Sequence, residues 1–295
     1  MTGAEQGFLL LTSSLGDPNR KPLTVSQFRT LSQRVSLAER SIEPRSLARE
    51  DLVSLGYDRQ SAERILKLLS QGDHLDRYLQ RGWVRGCVPV TRASNIYPAQ
   101  VRSRLGLDAP GCLWAKGDLS LLNTQMVSLV GSRELNEQNR QFAETAGKEA
   151  ARQRITLVSG NARGADRAAQ DACLGAGGSV ISVVADELEK YPLREGVLYL
   201  SEDSFDLAFS GVRALSRNRV IHSLGYLTLV AQCNLGVGGT WDGTVKNLQK
   251  NWSPVYCFAD GSRAAQELEQ LGATPVGTLQ LADFAALQPN AHSFL

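Results

Sequence analysis

From Met126 onward the chain alternates short, nearly continuous apolar runs with stretches of helical spacing, and this rhythm restricts the fold more than any other feature. The runs are MVSLVG (126–131), ITLVSG (155–160), SVISVVA (179–185), YLTLVAQ (226–232) and PVYCF (254–258), and VLYLSE (197–202) reads as a further strand. Helical patterns fill 137–153, 164–174, 216–223, 240–249 and 262–271. A strand apolar at every position is buried on both faces, which requires helices above and below a parallel sheet. Short connections and right-handed crossovers then predict a doubly wound, mostly parallel α/β sheet.

The flanks read differently. Residues 82–123 are punctuated by Trp83, Pro89, Tyr97, Pro98, Pro110 and Trp114 and show no regular period. Their dense apolar content makes them a lead-in to the sheet rather than a linker. The first eighty-one residues break into short helices. Leu31, Val35 and Leu37 sit in one, 47–55 form another, 55–69 are capped by Asp58, and 73–80 end at Gly82. The expected organisation is a small all-helical domain over 1–81, a core over 82–288 and a tail over 289–295, with weak patterning after Asp283.

Composition excludes several classes. The formal net charge is +2, so any nucleic-acid affinity must arise from a local basic patch. Five cysteines are scattered without a C-x-x-C pair, and there are three histidines, so no metal site is expected. Free thiols fit a reducing cytoplasm. The apolar stretch 8–11 is far too short for a signal peptide or a membrane span. The expectation is a cytoplasmic protein with no cofactor and no membrane association.

Three patches carry the chemistry. In VSLVGSR (127–133) an apolar run enters a turn at Gly131, leaving Ser132 and Arg133 at the carboxyl end of the strand. In SGNARGAD (159–166) Ser159 and Gly160 close a strand, and Arg163 and Gly164 open a helix whose first amides suit an anion; Asp166 is placed to cap them. SRNRVIHSLG (216–225) adds Arg217, Asn218 and Arg219, with Arg213 one helical turn earlier. A fourth segment, LGVGGTWDGT (235–244), offers Gly238, Gly239 and Thr240 for close backbone approach to a phosphate or base. Its Trp241 either stacks on a base or packs against the next helix. Adjacent strand ends would bring Arg133 and Arg163 into one crevice; the competing readings are that Arg133 pairs with a carboxylate at the sheet edge, that the glycine turn at 159–166 is architectural, and that the arginines of 213–219 lie on a solvated helix face. Neither G-x-G-x-x-G nor a P-loop is present, and no nucleophilic triad or catalytic residue is arguable. His222 beside Ile221 reads as core-edge, and the acidic loop with Asp186, Glu187 and Glu189 as a solvated turn.

VGSR, SGxARGxD and RNRxI, in this order, resemble the hallmark regions of the DprA/Smf family of bacterial DNA-processing proteins. The pairs Tyr97-Pro98 and Tyr191-Pro192 and the segment 110–122 extend the likeness. The resemblance implies an extended Rossmann-like core that binds single-stranded DNA, dimerises and helps load a RecA-type recombinase in natural transformation. It also implies an N-terminal helical module of the SAM or helix-hairpin-helix kind. By that likeness Arg133, Arg163, Arg217 and Arg219 fall in a basic DNA pocket, with Gly131, Ser132, Gly160 and Gly164 giving close backbone approach. Two departures stand out. Gln232 and GVGGTWDGT replace an acidic residue and a SGSLxTA-like loop, and the sequence stops soon after GATPV (272–276), read as loss of a winged-helix module. Two rivals remain: a nucleoside-monophosphate phosphoribohydrolase, whose catalytic Glu would stand where Gly243 is, and a nucleotide-binding sensor, either of them serving phage defence.

Overall fold

The computed structural model describes residues 1–38, 47–202 and 204–287; the expected tail over 289–295 lies outside them. Five helices come first: α1 (Gly3–Thr12), α2 (Val25–Ser36), α3 (Arg49–Ser54), α4 (Arg59–Leu69) and α5 (Gly72–Val84). Then follow β1 (Cys87–Thr91), α6 (Ala99–Leu105), β2 (Cys112–Gly117), β3 (Met126–Val130), α7 (Glu137–Arg152), β4 (Thr156–Ser159), α8 (Ala165–Gly175), β5 (Val180–Val184) and β6 (Val197–Glu202). The chain continues with α9 (Gly211–Ser216), α10 (Asn218–Leu224), β7 (Thr228–Val230), α11 (Gly238–Lys250), β8 (Val255–Phe258), α12 (Arg263–Gln270) and β9 (Thr274–Val276).

The strands form one sheet of nine in the order β1-β2-β6-β5-β4-β3-β7-β8-β9. From β3 the chain steps outward through β4, β5 and β6, then returns to pair β7 on the other side of β3. The fold is the doubly wound α/β architecture that the apolar runs predict. Its crossover reverses between β3 and β7, and ligands of open α/β sheets bind outside the strand ends at such a switch point. The alternation along β3 divides the core: Val127 and Leu129 join the layer under α7 and α8, while Met126 and Val130 join the layer with α6 and α10.

Four expectations are corrected. The 82–123 segment is not an irregular lead-in: β1 and β2 extend the sheet antiparallel, with Cys87 opposite Lys116 and Leu113 opposite Glu202. The helix over 216–223 is two helices jointed at Arg217. Leu37 lies beyond the end of α2 and is exposed. The chain just after Asp283 is not loose, because Phe284 is 1% exposed and packs under α7 with Leu281. The anticipated boundary at 81/82 falls inside α5.

Candidate nucleic-acid interface

The pocket at the switch point begins with two glycines that have no room for a side chain. A Cβ on Gly131 would collide with that of Ala165, so glycine lets α8 close on the end of β3. Gly164 has φ +86°, and its Cβ would run into the Ser132 carbonyl oxygen. Strand ends and the α8 N-terminus are thereby pressed together. Ser132 donates its amide to the Gln232 carbonyl at 2.9 Å, and Ala165 donates to the Ser132 carbonyl at 3.1 Å. Gln232 also receives the Asn136 amide on Oε1 at 3.2 Å and donates Nε2 to the Glu134 carbonyl at 3.2 Å, clipping the turn in which Arg133 stands.

The opposite wall is α11. Its N-cap is Val237, whose side chain accepts no hydrogen bond, so the first-turn amides of Gly238, Gly239 and Thr240 are uncapped. The Thr240 hydroxyl donates to the Gly131 carbonyl at 3.0 Å, and Asn218 donates to the Gly239 carbonyl at 2.9 Å. These two bonds aim the α11 N-terminus across the ends of β3 and β7. The segment 235–244 is therefore mostly helix, and the approach it offers is that of a positive helix end.

Between the walls lies a cavity of about 730 Å³ lined by Gly131, Ser132, Arg133, Arg163, Arg217 and Asn218, with Gly238, Gly239 and Thr240 on the α11 side. Arg133 and Arg163 are exposed, and neither guanidinium makes a hydrogen bond or ion pair among the described residues. Arg217 is 8% exposed; its Nη1 donates to the carbonyls of Gly160 and Val183, and its Nε has no partner. Gly160 makes that possible, since a Cβ there would collide with the Arg217 guanidinium. Burial lowers the pKa of Arg217, opposed by the nearby Asp166 carboxylate. Burial likewise pushes Asp166 above the usual carboxylate range, against the pull of Arg217 and the Ala162 amide it accepts at 3.1 Å.

Four of the sequence candidates do not line the cavity, Gly164 among them, which packs instead against the backbone of Ser132 and Arg133. Ser159 is fully buried and its hydroxyl accepts from Gln170 at 2.6 Å, inside the sheet layer. Gly160 supports Arg217 from behind rather than lining the cavity. Arg219 turns away to Glu202 at 2.9 Å and to the Asp108 carbonyl at 2.9 Å, an internal ion pair. Arg213 is also structural, donating to the carbonyls of Ala185, Leu207 and Ala208. Trp241 packs against the core and does not face the cavity. His222 is fully buried rather than at the core edge, and the Asp186 carboxylate pairs with Lys190 at 2.9 Å. Among the described residues no cluster of His, Cys, Asp or Glu is arranged to hold a metal ion. Sequence reasoning did not find Gln232, Leu215 or Val237 as pocket residues. The Val-Gly-Gly step at 237–239 was the signal for an uncapped helix start.

Likenesses to known proteins bear on this geometry. The family model described as DNA recombination-mediator protein A matches residues 89–282. Protein Smf of Escherichia coli is 28% identical over 195 residues, covering 62% of this chain and 48% of that protein. DNA processing protein DprA of Streptococcus pneumoniae is 33% identical over 141 residues, covering 44% of this chain and 50% of that protein. The chain thus spans about half the length of these curated relatives. Among solved structures, the crystal structure of DNA processing protein A from Streptococcus pneumoniae superposes with a TM-score of 0.73 at 23% identity, covering 98% of this chain and 99% of that one. A DNA processing protein A from Helicobacter pylori, described for its single-stranded DNA binding mode, gives 0.54 at 23% identity over 67% of this chain and 93% of that one. These likenesses establish the fold.

Proposed function

Because the chain belongs to the DNA recombination-mediator protein A family, we propose that its switch-point pocket binds the backbone of single-stranded DNA. The observation that carries this reading is the convergence of Arg133, Arg163 and an uncapped thirteen-residue helix on one cavity. Free guanidinium groups and first-turn amides are the donors that phosphate takes. The role of the Helicobacter pylori protein in single-stranded DNA binding supports the choice of ligand. Arg217 contributes from beneath as a buried positive charge, while Arg219 holds α10 to β6 through Glu202 and binds no phosphate.

The protein acts as a binder, without a catalytic step or cofactor, in DNA processing and recombination. Its partners are a single strand, a RecA-type recombinase and a second copy of itself, in the cytoplasm. No helix among the described residues is long and apolar enough to cross a membrane. Titration of a labelled single strand at several salt concentrations tests the reading. Arg133→Ala or Arg163→Ala weakens binding and reduces the log–log salt slope by about 0.7 for each phosphate that is no longer neutralised. Unchanged affinity and slope in both variants would overturn it.

Asp166 favours a second reading, since a buried carboxyl of raised pKa in a cleft is a recurrent mark of catalysis. Its proximity to Arg217 and its bond from Ala162 give it a structural task instead. Incubation with AMP releases adenine if the protein is a nucleotide hydrolase and leaves AMP intact if it is a binder.

A further inference from the structure

Exposed apolar side chains recur along the segment 207–215 that leads into the cavity wall, and of these Leu215 lines the cavity. Leu207, Phe209, Val212 and Leu215 are 41%, 56%, 78% and 53% exposed, and Val237 across the cavity is 67% exposed. Val212 and Leu215 are three apart on α9 and share a face. Leu215 and Val237 both line the cavity that holds Arg133 and Arg163, and a Cβ on Gly239 would lie 3.1 Å from Leu215 Cδ2, which sets Leu215 over the first turn of α11.

This segment is pinned in place. Arg213 donates to the Ala185, Leu207 and Ala208 carbonyls at 3.0, 2.7 and 3.0 Å, and to the Ser201 hydroxyl at 2.8 Å. Asp186 accepts the Phe209 amide at 3.0 Å. Exposed apolar side chains held firmly toward water beside a cavity mark a contact site. Here it adjoins a cationic wall, so the complete cavity presents positive charge on one side and apolar surface on the other. A nucleotide divides its chemistry the same way, with anionic phosphates on the backbone and apolar faces on the bases.

We propose that α9, with Leu215 nearest the cavity and Val212 beside it, is a shelf on which unpaired bases of the bound strand lie. The proposal rests on the reading of the pocket as a phosphate site for single-stranded DNA. Trp241 is partly buried against the core and does not line the cavity, so the base contact falls to α9. In a duplex the base faces are already stacked, and the shelf then gains nothing. It therefore selects single strands where the arginines alone do not.

The test compares oligo-dT with an abasic strand of equal length, using fluorescence anisotropy on the wild-type chain and on a Val212→Ser, Leu215→Ser double variant. Both positions are exposed, and matching circular dichroism and thermal midpoints check that the fold is kept. The expected result is that wild type binds oligo-dT at least about tenfold more tightly than the abasic strand. In the double variant the preference for oligo-dT over the abasic strand falls toward one, the loss on oligo-dT being the larger, with the salt slope kept. Equal wild-type affinity for the two strands overturns the shelf, as does a parallel loss on both in the variant. A changed oligomeric state with unchanged oligo-dT affinity assigns the patch to a protein interface and also overturns it. Absence of salt-sensitive binding to either strand by the wild type overturns the phosphate reading and the shelf with it.

Discussion

Arg217 occupies the joint between α9 and α10, and that joint turns its guanidinium inward while carrying Arg219 round to Glu202. Two arginines separated by one asparagine look alike in sequence. The partner that distinguishes them, Glu202, lies on β6 and is brought near only by the tertiary fold. Residue identity was thus legible and residue role was not. His222 lies deeper than its sequence suggests: Ile221 beside it marks a core-edge position, whereas the side chain is 1% exposed. It lies 3.3 Å from Thr228 Oγ1 and 3.2 Å from Asn247 Nδ2, its Nε2 has no partner, and burial pushes its pKa down to about 3. An unfolded chain takes up this proton near pH 6.5, whereas the folded chain refuses it down to about 3. Stability is therefore fully present above about pH 6.5 and falls as pH drops below it, by up to about 1.4 kcal/mol per unit from this group. Denaturant unfolding between about pH 6.5 and pH 5 should show this slope in wild type and a flatter one in His222→Gln. Parallel slopes would mean that the folded interior accepts the proton.

At the scale of elements, α11 is built to leave its N-terminus open. Val237 supplies no cap, Gly238 (φ +91°) and Gly239 keep the first turn bare, and Thr240 spends its hydroxyl on the Gly131 carbonyl. A side chain that capped the amides would strengthen the helix and compete with a bound phosphate. Val237→Asp should raise stability by about 1 kcal/mol, read from thermal unfolding. It should also weaken binding of oligo-dT and of an abasic strand equally, because the amides hold phosphates and not bases. A gain in stability with affinity unchanged would remove the α11 amides from the site. Legibility at this scale follows burial. Strands β3 to β8 sit inside the sheet, and their continuous apolar runs announce them. By contrast β1 (CVPVT) and β2 (CLWAKG) carry Pro89 and Lys116, and β1 is an edge strand, where proline is tolerated. Their composition resembles a loop, and only the pairing of β2 with β6 and of β1 with β2 makes them sheet. The weak strand β9 (TPV) at the other edge escaped notice for the same reason.

Across the whole molecule the N-terminal helices and the sheet are joined through a common cluster. Leu11, Leu31, Leu52, Ala62, Ile65 and Leu68 form a cluster belonging to the helices alone. A second cluster joins Leu9, Leu10, Leu75, Tyr78 and Leu79 to Cys87, Cys112, Trp114, Tyr199 and Phe205. There Tyr78 lies with its ring centroid 5.3 Å from Trp114 and 5.0 Å from Phe205, and Trp114 is 4.7 Å from Phe205. The Tyr78 hydroxyl is bonded to Ser204, and Arg81 pairs with Asp206 at 2.8 Å beside it. Gly82 sits where a Cβ would be 2.8 Å from the Trp114 ring, so α5 lies directly on β2. Trp114 stands in the sheet, Trp241 and Trp252 pack against it and Trp83 lies on α5, so fluorescence reports the sheet and its junction with α5, whereas far-ultraviolet circular dichroism also reports α1 to α4. The common cluster predicts that the two signals trace one coincident unfolding curve. Phe205→Ala, which empties the centre of the aromatic cluster, should cost about 3–5 kcal/mol and move both signals together. Removing 1–81 should leave an aggregating chain, because the cut falls inside α5 and strips Tyr78 and Leu79 from Trp114. A wild-type helical signal that melts before the tryptophan signal, together with a soluble, cooperatively folded 82–295 fragment, would instead make the helical segment an independent domain. The position of α5 against β2 would then be a docking contact between two separately stable units.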